Sequence, residues 1–397
     1  MTRNYKALAV LKLLKSSIDI FINSFFVLYF LSISNSNIVA LGIYYLIMYS
    51  ILFFTIFLLR NRCKSKKRIN LLRIGILLNL LFFILLFFMQ NNIVTYSWFI
   101  AIVYGLEEGF YYSVYNNFES SGVENHKRAN FIGVYTAIKS ILKIIIPVIF
   151  GSVISWGGFD KCFVIILFLA GFQLIVSVIF KDKFYKESDI FEFSDFLKLV
   201  KANSLVRRLY RVSFFQGMIY SGAFQSITMI YIVRTFMSGF SLGIFTSIFA
   251  IVTGVVGMYF AKLITPNYYK PNLKASCIMT LLALGLIIIQ CNVITVIVFN
   301  LVQSFSKTIV ELISENYKIS ISNLNEIKEK YKAEYFIGME FSMWGGRLTG
   351  YMLFILLALS TSQIWSGGIL IIFGIFIILF TNNLIRLQRL ISKKHLL

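Results

Sequence analysis

Ten ionisable side chains lie inside long apolar stretches of this chain, where a charge is costly unless it faces a partner or a cavity. Six are acids: Asp19, Glu107, Glu108, Glu311, Glu315 and Glu340. Four are bases: Lys139, Lys143, Lys307 and Arg347. Because an acid that is held out of water takes up a proton more readily, the acids could carry protons or another coupling ion, with the bases as charge partners. The alternative is a set of structural ion pairs between helices.

Helical spacing aligns several of these charges. Side chains four or seven residues apart lie on one face of a helix. The aligned sets are Lys307 with Glu311 and Glu315, Lys139 with Lys143, and Glu340 with Arg347. Such alignment is expected of residues that line a cavity.

Glu108 and Lys139 are predicted to lie at matching depths in the membrane. Each is about nine residues inside its apolar segment, which is roughly 13 Å at 1.5 Å per residue. We therefore expect a Glu108–Lys139 ion pair between adjacent helices. That pair leaves Glu107 or Lys143 for a ligand or a proton.

Polar aromatic and amide groups accompany these charges and predict a substrate cavity. On the segment that carries Glu107 they are Tyr104, Tyr111, Tyr112, Tyr115 and Asn116. Later in the chain, Trp344 lies near Arg347, whose guanidinium suits an anionic group. The chain contains 22 tyrosines, so packing is the competing explanation of the aromatic stripe. Gly105 and Gly109 predict close contact with another helix.

Long apolar segments must position these side chains. The 397 residues are 58% hydrophobic and 14% charged, and a helix needs about 20 apolar residues to cross a bilayer. We therefore predict an all-α membrane protein with twelve transmembrane helices. They lie near residues 14–33, 38–59, 71–90, 96–117, 130–154, 162–180, 211–233, 241–262, 274–291, 293–316, 335–358 and 364–385.

The distribution of positive charge predicts the orientation of these helices. All but six of the 38 lysines and arginines lie on alternate connections, and the intervening connections carry only Lys161 and Arg234. Cytoplasmic loops are enriched in Lys and Arg, so both termini are expected in the cytoplasm, with Lys15 among the N-terminal cations. A net charge of +21 sorted in this way marks one side of a bilayer rather than a nucleic-acid surface. We expect a monomer in the cell membrane.

The longest charged connection divides the chain into two halves of six helices. The predicted domains are 1–180 and 211–397, joined by a cytoplasmic linker at 181–210. Apolar residues recur at helical spacing from Phe193 to Leu209, and Ser194 could cap the helix. The pattern predicts an amphipathic helix on the inner leaflet, with a partner-binding module as the alternative. Similar sequences at Ala129–Gly133 and Ala333–Gly338 indicate an internal repeat.

With these features the chain resembles the major facilitator superfamily, whose members have two six-helix halves around a central cavity. The connection Arg60–Arg68 matches the cations of the family's signature between the second and third helices, but it lacks the signature's glycine and aspartate. Pro147 and Gly151 correspond to a motif that exporters carry in the fifth helix, and Pro147 is expected to kink that helix. The resemblance implies transport by alternating access, and the motif favours export.

The sequence has no recognisable catalytic, metal-binding or nucleotide-binding motif, so an enzyme, a metal and a cofactor are not expected. Transport must then be driven by a gradient. We predict a proton-coupled secondary transporter that exports a small organic or amphipathic molecule. The alternatives are an importer or uniporter of a nutrient or an anion, and a flippase of lipids or glycan precursors.

Overall fold

A computed structural model of the protein describes residues 3–62, 68–121, 125–180, 192–236, 238–263, 265–359 and 363–393. Within these ranges every regular element is a helix and no strand occurs, which confirms the all-α prediction. The α-helices are α1 Arg3–Ile33, α2 Ile38–Leu59, α3 Arg68–Phe88, α4 Ile93–Ser121, α5 Asn125–Ile179, α6 Phe193–Ala202, α7 Ser204–Ile219, α8 Ala223–Phe236, α9 Gly239–Leu263, α10 Tyr269–Ile289, α11 Val293–Ser322, α12 Asn325–Glu329, α13 Lys332–Leu359 and α14 Gln363–Lys393.

Nine of these helices, within the described part of the chain, are long and apolar enough to cross a membrane. They are α1, α2, α3, α5, α9, α10, α11, α13 and α14. α5 has 55 residues and covers both the fifth and the sixth predicted spans. α4 covers the fourth span, and α7 with α8 covers the seventh. The architecture is that of a multi-pass membrane protein, while the count of twelve crossings and the arrangement in two repeats stay predictions.

A single glycine interrupts α5 between the two predicted spans. Gly158 has φ of 73° and ψ of −178°, a combination that is essentially restricted to glycine. The position that a Cβ would take is open, with nothing within 4 Å. The break therefore depends on the backbone of this residue and not on crowding around it.

The chain divides into two compact units. Unit 1 comprises Met1–Ser188 with Phe236–Ile248, and unit 2 comprises Asp189–Thr235 with Phe249–Leu397. The division into the domains 1–180 and 211–397 with a linker at 181–210 stays a prediction. Residues 181–191 of that linker lie outside the described ranges.

In unit 1, α4 packs against α2 and α3, and α1 packs against α5. The contact between α2 and α4 depends on the absence of side chains. A Cβ at Gly105 would lie 2.6 Å from the carbonyl oxygen of Met48, and a Cβ at Gly109 would lie 2.5 Å from the Cβ of Thr55. The predicted close helix contact at these glycines is therefore confirmed.

The aromatic core of unit 1 is centred on α1. The ring of Phe21 lies 6.4 Å from that of Phe83 on α3, and 4.8 Å and 6.4 Å from those of Phe150 and Phe163 on α5. These tilted and edge-on contacts are the favoured geometries of aromatic pairs. They hold the middle of α1 in place against two other helices.

In unit 2, the seventh predicted span, 211–233, is not one helix. The N–H groups of Tyr220 and Ser221 both donate to the carbonyl oxygen of Gln216, which closes α7. The carbonyl oxygen of Gly222 then accepts from the N–H of Gln225, which opens α8. We call the segment Tyr220–Gly222 the α7–α8 break. The prediction of a continuous helix was wrong because a serine and a glycine are tolerated inside a helix, so their presence did not signal an end.

The predicted amphipathic helix from Phe193 to Leu209 is also divided. α6 ends at Ala202, and the side chain of Asn203 accepts from the N–H groups of the first turn of α7. The N-cap position of α6 is Glu192 rather than Ser194. The N–H of Glu192 donates to Oε1 of the buried Glu334 on α13 at 2.9 Å, and this bond ties α6 to α13.

Candidate functional site

Lys15 is the centre of a buried group of charges in unit 1. Its Nζ lies 2.8 Å from Oδ1 of Asp19, 2.7 Å from Oε1 of Glu107 and 2.6 Å from Oε1 of Glu108. Its side chain is only 4% exposed. We call these four residues the Lys15 cluster. One ammonium thus contacts three carboxylates.

Two pairs of residues on two helices form the cluster. Lys15 and Asp19 are one turn apart on α1, and Glu107 and Glu108 are consecutive on α4. α1 runs unbroken from Arg3 to Ile33, so Lys15 lies inside the helix rather than on a solvated arm. The hydroxyl groups of Ser16 on α1 and Tyr135 on α5 hydrogen-bond at 2.8 Å and fix the rotation of α1 at this level.

The cluster carries more negative than positive charge. If all four groups are ionised, three carboxylates face one ammonium, and the sum is −2. Carboxylates that crowd together away from water disfavour one another's charged form. A proton on one acid therefore relieves the repulsion while Lys15 still balances the others. This arrangement suits the uptake and release of protons.

The three acids differ in their access to the surface. The side chain of Glu107 is 1% exposed, that of Glu108 is 23% exposed and that of Asp19 is 35% exposed. Apart from the contact with Lys15, neither oxygen of Glu107 has a hydrogen-bond partner among the described residues. Asp19 and Glu108 are therefore partly accessible, whereas Glu107 is the most deeply buried acid of the cluster.

Two of the predicted cavity tyrosines lie beside the cluster. Tyr104 and Tyr111 are buried, and the ring of Tyr111 lies 5.1 Å from Nζ of Lys15 in a cation–π contact. Tyr112 is exposed on another face of α4. The side chains of Tyr115 and Asn116 lie outside the described part of the chain.

The predicted Glu108–Lys139 ion pair is not formed. Lys15 occupies the position beside Glu108 that was assigned to Lys139. Lys139 instead lies 5.8 Å from the ring of Tyr135, on its own helix, and Lys143 is exposed. The prediction matched the depths of α4 and α5 but left out α1, which packs against α5 and reaches the same acids first.

The charges predicted in unit 2 lie in three places. Nζ of Lys307 is 3.8 Å from Oε1 of Glu311, on the same face of α11. Glu315 instead pairs with Lys318 at 2.6 Å and is exposed. On α13, Arg347 donates from Nε to the carbonyl oxygen of Ser221 at 3.3 Å. Glu340 and Trp344 are half-buried on the same helix, and the Trp344 ring contacts that of Phe341.

Pro147 and Gly151 lie where α5 meets the segment 236–248, which belongs to the same unit. A Cβ at Gly151 would lie 2.5 Å from the carbonyl oxygen of Gly239. Near this contact, Oγ of Ser247 donates to the carbonyl oxygen of Ile144 at 2.6 Å. Gly151 is therefore needed for close packing. A kink at Pro147 stays a prediction.

Lys15 is the functional candidate that sequence reasoning missed. It was assigned to the cytoplasmic cations because other basic residues precede it. The signal that could have identified it is its spacing of four from Asp19, which allows an ion pair within one helix. No group of three or more His, Cys, Asp or Glu that could hold a metal occurs among the residues that the structure describes.

The chain has the fold of a solved membrane transporter, which agrees with the fold that the sequence resemblance implied. The chain matches the crystal structure of the nucleoside transporter NupG with a TM-score of 0.70 at 11% identity, over 97% of this chain and 99% of that chain. It matches a mutant of NupG with a TM-score of 0.72 at 12% identity, over 97% and 100% of the two chains. The TM-scores establish a shared fold.

Comparison of sequences gives weaker matches than comparison of structures. No family model matches the chain. It is 23% identical to an uncharacterized protein of Bacillus subtilis (strain 168), YqgE, over 347 residues that cover 86% of this chain and 80% of the relative.

Proposed function

We propose that this protein is a secondary transporter that couples the movement of protons to the transport of a small organic molecule by alternating access. The observation that carries the proposal is the Lys15 cluster, in which three carboxylates share one buried ammonium. The fold, which is that of known transporters, supports the same conclusion. Export is the direction that we propose, on the basis of Pro147 and Gly151.

The cluster suggests how a proton would act. When Glu108 is ionised, its 2.6 Å contact with Lys15 holds α4 to α1. A proton on Glu108 removes that attraction, and Lys15 remains with Asp19 and Glu107. Protonation therefore changes the free energy of the contact between α1 and α4. A change of this kind is what a transporter needs if proton binding is to bias one conformation over another.

Proteoliposomes test this proposal. We expect wild-type protein to move substrate when a proton gradient is applied, with substrates found by a thermal-shift screen of small molecules. Glu107→Gln and Glu108→Gln should lose the response to the gradient, because neither amide can carry the proton. Asp195→Asn, in an exposed ion pair on α6, is the control. Equal transport without a gradient, or full coupling in both glutamine variants, would exclude the role assigned to the cluster.

Nucleoside transport is the second candidate, and the structural match to NupG favours it. Uptake of labelled uridine into the same proteoliposomes measures it directly. Saturable uptake that unlabelled nucleosides inhibit supports this candidate, and uptake equal to that of empty liposomes excludes it.

The remaining expectations belong to the same proposal. We place the protein in the cell membrane as a monomer, with both termini in the cytoplasm and two six-helix halves, 1–180 and 211–397. The segregation of Lys and Arg on alternate connections supports this orientation.

A further inference from the structure

Two cationic side chains of unit 2, each near the middle of its helix, lie close to the α7–α8 break. Lys307 on α11 and Arg347 on α13 each lie roughly 20 Å from the ends of their helix, at 1.5 Å per residue. Arg347 contacts the break, and Lys307 contacts Gln225 in the first turn of α8. Interrupted helices near the middle of a bilayer expose backbone groups and often form the substrate sites of secondary transporters.

Lys307 is held far more loosely than Lys15. Its Nζ lies 3.1 Å from Oε1 of Gln225, which is neutral, and 3.8 Å from Oε1 of Glu311. Lys15, by contrast, contacts three carboxylates at 2.6 to 2.8 Å. The side chain of Lys307 is 28% exposed, so a ligand can reach it. A cation at this depth whose shortest contact is with a neutral amide keeps much of its capacity to bind an anion.

Arg347 is a positioning residue for the α7–α8 break. Its Nε donates to the carbonyl oxygen of Ser221, which the interrupted helix leaves available because the N–H of Gln225 bonds to Gly222 instead. The bond fixes the break and brings a second positive charge to it.

An unfilled hydrogen-bonding group lies next to Lys307. Gln303 is one turn before Lys307 on α11, and its Oε1 is buried without a hydrogen-bond partner among the described residues. A buried polar atom of this kind is uncommon in a folded protein and indicates a missing partner. A hydrogen-bond donor on the ligand, separate from its anionic group, would supply it.

We propose that Lys307, Gln225 and the α7–α8 break bind a small molecule through a carboxylate or phosphate group. This inference rests on the proposed transport function and names the substrate class. An anionic oxygen replaces the Gln225 amide at Lys307, because opposite full charges attract each other and a neutral amide lacks that attraction. Glu311 competes for the same ammonium from 3.8 Å.

Direct binding to the full-length protein in detergent tests the site without any gradient. Inorganic phosphate and succinate are titrated separately at a fixed ionic strength set with sodium chloride, and tryptophan fluorescence gives the Kd. Trp344 reports on the site because it lies three residues before Arg347. We expect saturable binding of at least one anion. Lys307→Gln should raise its Kd by about tenfold.

Glu311→Gln should change the Kd in the opposite direction, and this variant keeps Lys307. It removes the competing carboxylate, so we expect a lower Kd than in wild type. Lys198→Gln, which changes an exposed lysine on α6, should leave the Kd unchanged. Uridine is the neutral probe, and its binding should not depend on Lys307.

The inference is overturned if neither anion binds saturably, if Lys307→Gln binds as wild type does, or if Glu311→Gln weakens binding. Phosphate binding without succinate binding assigns the site to phosphate groups, and the reverse assigns it to carboxylates. Glu107→Gln should bind the anion normally. Full proton coupling in this variant would therefore count against the proposed function and not against this site.

Discussion

Lys15 contacts three acids at once, so its loss should disturb the protein more than the loss of any single acid. Removal of a buried ion-pair partner leaves the opposite charge uncompensated, at a cost of about 3–5 kcal/mol. We expect Lys15→Met to lower the free energy of unfolding by that order, measured as thermal unfolding of the protein in detergent. Lys139→Met is the matched control, because Lys139 has no carboxylate at ion-pair distance among the described residues.

Charge compensation can be separated from packing by a second change. Adding Glu107→Gln to Lys15→Met removes one uncompensated carboxylate and should recover part of the lost stability. If the double variant is less stable than Lys15→Met alone, the cluster is held by shape and not by charge.

The acids of the cluster could be predicted from the sequence, and their cation could not. Asp19, Glu107 and Glu108 stand out because they interrupt apolar segments. Lys15 follows other basic residues near the start of the chain, where a cation normally lies at the membrane surface. Its true position depends on where α1 meets α4, and the sequence does not specify contacts between helices that are distant in the chain.

α4 depends on small residues, because both Gly105 and Gly109 face α2. Gly109→Ala would place a Cβ 2.5 Å from that of Thr55, so α2 and α4 must separate. Such overpacking costs about 1–3 kcal/mol. We expect a lower unfolding temperature and weaker proton coupling, since α4 carries two acids of the cluster.

Gly171→Ala is the matched control for this change. Gly171 is in α5, and nothing lies within 4 Å of the position of its Cβ. Alanine is a better helix former than glycine, so this variant should be as stable as wild type or slightly more so. Equal unfolding temperatures for the two alanine variants would contradict the role of Gly109.

Helices were predicted better than their interruptions. Apolar length located most of the helices, because a bilayer imposes it directly. Asn203 is a good N-cap residue and could have revealed the boundary between α6 and α7. The α7–α8 break had no comparable signal. It is stabilised in part by Arg347, a residue that lies far away in the sequence.

For the whole chain, the sorting of positive charge gives a testable orientation. We expect fluorescent protein fused to either end to fluoresce in bacterial cells, and alkaline phosphatase fused at the same positions to be inactive, because both ends are predicted to face the cytoplasm. Termini on opposite sides would require an odd number of crossings and would contradict the twelve predicted spans. A fusion after Asp160, next to Gly158, should give the reverse result and serves as the control.

Composition and charge thus predict the class and the orientation of the molecule, because both follow from the bilayer as a solvent. The +21 net charge says nothing about the chemistry of transport. That chemistry depends on a few ionisable groups whose pairing is set by tertiary contacts. Glu108 is an example, because its partner is Lys15 and not the predicted Lys139.

The pairing of Lys15 with Asp19 also matters while the protein is being made. Glu107 and Glu108 are synthesised some seconds after α1, at about 5–20 residues per second. During that interval the nascent α1 must enter the lipid without them. Because Lys15 and Asp19 are one turn apart, they neutralise each other within the helix. The first helix therefore enters the membrane with no net charge at the level of Lys15 and Asp19. When α4 inserts later, Glu107 and Glu108 join this pair and complete the Lys15 cluster.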